Sequence, residues 1–282
     1  MEYTGFRQLD VQQQLIDTLC SKGQVEIWNS RLALHPNLYL ELKNCANEKN
    51  TVLAKVDPTG KFVKKISSIE VSGIKPRNRE QHFVLDALMD DSITVVALTG
   101  MAGTGKTLMA LAAAFSKMKD NIYDKIILTR PMSEVGKYKL GSLPGDANEK
   151  FSPYLLNYMT NLECFVNRKY AKDMLDQNKF EIVPLQLMRG ASFHNCFILA
   201  DEMQVCNHME ILTVGTRIGE GSKIVLMGDL NQRDDNITKE KIGLYKLFQD
   251  KRARESALMV ALELQKCERS ETSRFFAEIF DE

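Results

Sequence analysis

Apolar residues along this chain follow two different rhythms. Up to about Ile74 they fall in short β-favouring stretches, Gln24–Trp28, Leu38–Leu42, Thr51–Val56 and Lys61–Ile66, after an amphipathic helix predicted over Leu9–Cys20. The last two stretches flank Asp57-Pro58-Thr59-Gly60, whose Pro and Gly favour a tight turn between strands. Residues 1–74 therefore read as a small β-rich module. Ser72 to Asn78 carries Gly73 and Pro76, which interrupt regular structure, and reads as a linker.

From residue 75 the pattern alternates. A helix is predicted over Glu80–Met89, a strand over Ile93–Thr99, a helix over Thr107–Lys119 and a strand over Lys125–Thr129. Strands Phe180–Pro184 and Cys196–Ala200, a helix His208–Thr216 and strands Lys223–Met227 and Met259–Leu264 follow. Near-continuous apolar strands separated by helices require a parallel sheet covered on both faces. The expected fold class for residues 75–282 is α/β.

Composition changes this picture little. The chain has 282 residues, 44% hydrophobic and 26% charged, enough to bury a sizeable core. Lys plus Arg (37) equals Asp plus Glu (37), which argues against strong non-specific attraction to nucleic acid. No aromatic base-stacking platform stands out. Six scattered cysteines form no zinc-ribbon spacing and fit a reducing compartment, with Cys196 expected as a buried thiol. The N-terminus lacks the pattern of a signal peptide, and no run reaches the roughly 20 apolar residues of a membrane span. A soluble, cytoplasmic protein without membrane contact is expected.

Chemistry enters at the ends of the strands. Gly100-Met101-Ala102-Gly103-Thr104-Gly105-Lys106-Thr107 matches the phosphate-binding pattern G-x-x-x-x-G-K-[ST] in full. Its glycines let consecutive N–H groups turn around a phosphate, and the following helix aims its positive end at the same anion. Lys106 supplies charge for the β- and γ-phosphates, and the Thr107 hydroxyl suits Mg²⁺. ATP and Mg²⁺ are the implied cofactors. Further on, the apolar strand Cys196–Ala200 ends in Asp201 and Glu202. Asp201 would hold Mg²⁺ through water, and Glu202 beside it can polarise a water for attack on the γ-phosphate. A kinase needs no such water, so the pair favours hydrolysis. A third strand ends in Gly228-Asp229-Leu230-Asn231-Gln232, where Gln232 could report the γ-phosphate.

These motifs, with Ile127-Leu128-Thr129-Arg130-Pro131 and Leu140-Gly141-Ser142-Leu143-Pro144-Gly145-Asp146, closely resemble the PhoH family of P-loop ATPases. That family is similar in motifs to the first RecA-like half of superfamily-one helicases. The resemblance runs from about Ile74 onward and includes Lys75-Pro76-Arg77-Asn78-x-x-Gln81, Leu187-Met188-Arg189-Gly190, Thr216-Arg217-Ile218-Gly219 and Glu268-Arg269-Ser270. The preceding module looks like the segment that longer members carry ahead of the ATPase; those members add a PIN nuclease, for which this chain leaves no room. Met203 stands where the family's Asp-Glu-Ala-Gln has alanine, and Ala200 where a larger aliphatic is common. Both departures touch packing rather than the acids.

The resemblance implies a RecA-like core, an adenine-reading role for Gln81 and a place for Arg130 beside a nucleic-acid path. Related helicases complete the γ-phosphate site with an arginine from a second RecA-like domain. The roughly fifty residues after Gln232 are too few for one. A ring, expected as a hexamer, would supply the arginine from a neighbouring subunit, with Arg217 and Arg269 as candidates. The leading expectation is an ATPase stimulated by RNA or single-stranded DNA. An ATP-gated adaptor for a nuclease or other nucleic-acid machinery is the alternative.

Overall fold

The computed structural model describes residues 3–27, 32–131, 158–232 and 238–268, together with Phe275 and Ile279. Its first sheet is built by β1 (Phe6–Val11), β2 (Gln24–Glu26), β3 (Tyr39–Asn44), β4 (Asn47–Val56) and β5 (Phe62–Lys65), in the order β1-β3-β4-β5-β2. The helix α1 (Gln13–Lys22) packs against it through Ile16 and Leu19. The helix expected over Leu9–Cys20 thus begins later. Residues 6–11 pair in parallel with β3, with Leu9 opposite Leu42 and Val11 opposite Asn44. That pairing satisfies the backbone of this segment, and the helical spacing of apolar residues starts only at Leu15 and Ile16.

The remainder is an α/β core. After α2 (Arg79–Met89) come β6 (Val95–Gly100), α3 (Lys106–Lys119), β7 (Lys125–Thr129), α4 (Arg168–Asp176), β8 (Phe180–Ile182) and β9 (Cys196–Ala200). They are followed by α5 (His208–Gly215), β10 (Lys223–Gly228), α6 (Gly243–Gln249), α7 (Lys251–Arg254) and β11 (Met259–Leu264). Six parallel strands run in the order β11-β6-β10-β9-β7-β8. Alternate residues of each strand enter opposite cores. Val96, Leu98, Phe197, Leu199, Val225 and Met227 meet α2 and α3, while Ala97, Ile198, Ala200, Ile224 and Leu226 meet α5 and α6. This double burial is why the strands read as continuous apolar runs. The α/β core with a parallel sheet covered on both faces, expected from the sequence, is the one observed, with the β-rich sheet ahead of it.

Local signals set the helix starts. The Asn78 side chain accepts from Gln81 N to cap α2, and Asn207 with Glu210 forms a reciprocal capping box on α5. In α3 the buried Ala110 and Ala112–Ala114 leave little side chain between helix and sheet. Met203 and Ala200, the two departures from the family pattern, are both fully buried. Among the described residues no helix is long and apolar enough to cross a membrane.

The two sheets share contacts. Tyr39 stacks on Phe83 with centroids 4.8 Å apart, and its hydroxyl donates to Asp86 at 2.7 Å. Lys55 reaches from β4 to Asp86 and Asp90. Glu263 N donates to Thr4 O at 2.9 Å, so the chain just before β1 lies along β11. There Gly5 passes so close that a Cβ would fall 1.8 Å from Ala261 O.

Lys223, fully buried at the start of β10, closes the C-terminal end of α2. Its ammonium donates to Ala87 O, Leu88 O and Asp90 O at 3.0, 2.7 and 2.9 Å, satisfying carbonyls the helix leaves free. Burial pulls its pKa down to about 7, against nearby acids Asp91 and Asp90, which raise it. Replacing Lys223→Met strands the Ala87 and Leu88 carbonyls, and thermal or denaturant unfolding should show a loss of about 1–3 kcal/mol. The folded chain releases this proton near pH 7 and the unfolded chain near pH 10, so wild-type stability gains as pH rises between them. The gap between wild type and variant should therefore widen from pH 7 to 10; a gap that narrows would contradict this role.

Candidate active site

Parallel strands place their C-terminal ends at one edge, and the motif residues gather there. The loop between β6 and α3 carries left-handed backbone at Gly103 (φ 85°) and Gly105 (φ 91°). Gly100 (φ 147°) has no room for a side chain, since a Cβ would lie 2.2 Å from Leu264 O. Lys106 Nζ donates to Gly100 O and Met101 O, and the buried Thr104 hydroxyl donates to Met101 O at 3.0 Å. The loop is braced from outside as well. Glu268 N donates to Gly103 O at 3.1 Å, and Cys267 Sγ lies 3.6 Å from Ala102 O. Glu80 on α2 accepts from Gln265 N and Lys266 N, fixing the segment that follows β11.

Inside the loop is a cavity of about 300 Å³ lined by Gly103, Lys106, Thr107, Asp201, Glu202 and Gln232, among others. Thr107 Oγ1 stands 3.4 Å from Asp201 Oδ2, so a hydroxyl and a carboxylate converge in one corner. Two hard oxygens beside a phosphate loop fit Mg²⁺, which takes one or two protein oxygens and completes its shell with phosphate and water. Burial, then the adjacent Glu202 charge, raises the Asp201 pKa, opposed by the Glu202 N–H, the Tyr158 hydroxyl and Arg130. Tyr158 donates to Asp201 Oδ2 at 3.1 Å, and burial, then the Asp201 charge, holds its own pKa well above the usual range.

Glu202 takes a left-handed conformation (φ 57°, ψ 34°), which few non-glycine residues adopt and which costs on the order of 1 kcal/mol. The turn breaks off the strand direction and lets Glu202 line the cavity beside Asp201. Gln204 Nε2 donates to Glu202 Oε2 at 2.7 Å. On the next strand end Gln232 is exposed at the cavity wall, with its N–H donating to Asp229 O.

The other sequence-derived candidates lie around this centre. Gln81 is buried behind the loop, its Nε2 donating to Thr104 O and its Oε1 accepting from Arg77 N. One further donor and one acceptor position remain on its carboxamide. Arg130 follows β7 at the same edge, where its carbonyl accepts from Leu185 N. Arg217 stands elsewhere. It precedes β10, and Phe193, just before β9, donates to its carbonyl, so it occupies the edge where strands begin. Arg269 and the Leu140–Asp146 loop lie outside the described residues. Tyr158 and Asn161 join the site without being expected there, whereas Gln204 and Asp229 stand inside motifs already noted. Tyr158 and Asn161 carry no local signature, because only the packing of residues 158–162 brings Asn161 to the cavity and Tyr158 to Asp201.

Comparison with known proteins shows a family for most of the chain. The family described as PhoH-like protein matches residues 73–281. Protein PhoH2 of Bacillus subtilis is 35% identical over 240 residues, covering 82% of this chain and 54% of its own length. Protein PhoH2 of Mycolicibacterium smegmatis is 31% identical over 282 residues, covering 99% of this chain and 63% of its own. The chain thus spans between about half and two thirds of the length of these relatives. Among solved structures, a Pif1 helicase from Candida albicans is 14% identical with a TM-score of 0.37, over 73% of this chain and 43% of that one.

Lys106 is the one cation among the described residues lining the cavity, against Asp201, Glu202 and Asp229. Lys106→Ala removes a charge-assisted contact worth about 1.5–3 kcal/mol. ATP affinity, measured by calorimetry or a fluorescent analogue, should fall by about 10–100-fold with the fold intact. Unaltered affinity would remove the loop from the nucleotide site.

Proposed function

The chain belongs to the PhoH-like protein family, and from that premise we propose that it binds Mg–ATP in this cavity and hydrolyses it. The observation that carries the reading is the convergence of the phosphate loop, Asp201, Glu202 and Gln232 on one cavity. The N–H groups of Gly100–Thr107 and the start of α3 cradle the phosphates, with Lys106 on the β- and γ-oxygens. Thr107 and Asp201 would hold Mg²⁺, which when bound offsets charge on those phosphates. Glu202 accepts a proton from the attacking water and orients it in line with the γ-phosphate. Gln232 senses the γ-phosphate, and Gln81 reads adenine with its remaining donor and acceptor.

The wider activity is proposed in the same sense. We read the chain as a helicase-like ATPase stimulated by RNA or single-stranded DNA, with Arg130 beside the nucleic-acid path. Residues 75–282 are the ATPase unit and residues 1–74 an attached module. A site with one lining cation among the described residues gains from more positive charge in the transition state. An arginine supplied in trans raises such rates by roughly 10³–10⁵. Arg217, at the opposite edge of the sheet, can reach a γ-phosphate only in a neighbouring copy, which favours a head-to-tail ring; Arg269 is the other candidate.

Glu202→Gln should keep ATP affinity and lose turnover by about 10²–10⁴-fold, the usual contribution of a positioned base. Equal hydrolysis in this variant refutes Glu202 as the base. Turnover measured with and without single-stranded RNA or DNA separates the motor from an ATP-gated adaptor, because only the motor is stimulated. Light scattering should show an oligomer with ATP. A monomer with full activity would sink the ring.

A further inference from the structure

We propose that Gln204 is a positioning residue that ties the water-activating Glu202 and the γ-phosphate-sensing Gln232 into one mechanical unit. The inference rests on the hydrolytic reading above. Gln204 is 3% exposed, and its carboxamide uses both ends. Nε2 donates to Glu202 Oε2 at 2.7 Å, while Oε1 accepts from Asp229 N at 3.2 Å. Asp229 O in turn accepts from Gln232 N at 3.0 Å. One side chain therefore spans from the end of β9 to the end of β10.

The surroundings are built for this bridge. A Cβ on Gly228 would fall 2.7 Å from Gln204 Oε1 and 2.9 Å from Gln204 N, so glycine there leaves the space the carboxamide occupies. A carboxylate rotates broadly about its terminal torsion unless something holds it. With Oε2 tied to Gln204, the Glu202 carboxylate plane is set and Oε1 remains to meet water. The left-handed backbone at Glu202 brings that side chain to the cavity, and Gln204 keeps it there. Because the same amide grips Asp229, a shift of Gln232 on loss of the γ-phosphate is transmitted to the base. Gln204 itself is not among the cavity-lining residues and acts through the two that are.

The test is Gln204→Met, which keeps the buried volume and removes both hydrogen bonds. Steady-state ATP turnover should fall by about 10–100-fold, the scale of a misplaced reacting group. Mg–ATP affinity should stay within about threefold and Tm within a few degrees. In the Glu202→Gln background the same change should have little further effect on turnover, since the carboxylate it positions is gone. Wild-type turnover in Gln204→Met overturns the inference, as does a loss that is fully additive with Glu202→Gln. Should Gln204→Met melt early, Gly228→Ala serves instead. Its added methyl displaces the carboxamide, and it should lower turnover while sparing affinity; unchanged turnover there overturns the inference too. A wild-type chain without ATPase activity fails the hydrolytic reading itself, and the bridge falls with it. An active wild type with an indifferent Gln204→Met fails the bridge alone.

Discussion

Parallel pairing of β10 with β6 on one side and β9 on the other is the constraint on which the site depends. Gly228 lies opposite Thr99, and Leu226 opposite Ala200, so three chain reversals reach one edge at nearly one level. A slip of one residue would turn every buried side chain of a strand to the other face. The register is therefore enforced by two cores at once, one under α2 and α3 and one under α5 and α6. Burial on both faces thus gives the chemical edge its precision. The polar groups at the edge remain half-open while everything beneath them is closed.

That edge stores its polarity in a small network. Asp201 N donates to Thr129 O, and its carboxylate accepts from Glu202 N, the Tyr158 hydroxyl and, at a longer distance, Thr107. Glu202 is held by Gln204, and Gln204 by Asp229. Two adjacent acids in a recessed site repel each other, and these donors offset the repulsion. Among the described cavity-lining residues, Glu202 is the non-glycine position where local backbone preference yields to the site. The outer brace at Glu80, Gln265 and Glu268 does comparable work for the phosphate loop, joining it to the end of β11.

Outside the core, the smaller sheet is attached by specific contacts. Tyr39 against Phe83, Lys55 against Asp86 and Asp90, and Thr4 against Glu263 join it to α2 and β11. These contacts link residues far apart in the chain. Ile66 and Val71, just ahead of Ser72–Asn78, pack into the core of the larger sheet.

Local sequence determined the parts whose physics is local. A glycine loop needs backbone angles that only glycine adopts freely, and an apolar strand ending in two acids needs both faces covered. Gly100–Thr107 and Cys196–Glu202 were legible for that reason. The capping of α2 by Asn78 and of α5 by Asn207 is equally local. The strand Phe6–Val11 escaped notice because its partner lies more than thirty residues ahead, and alternation over six residues is a weak signal. Tertiary structure alone decided that Tyr158 donates to Asp201, that Lys223 closes α2, that Gln204 joins Glu202 to Asp229, and that Arg217 stands at the far edge. Each is a contact between segments distant in sequence, set by strand order and packing rather than by spacing along the chain.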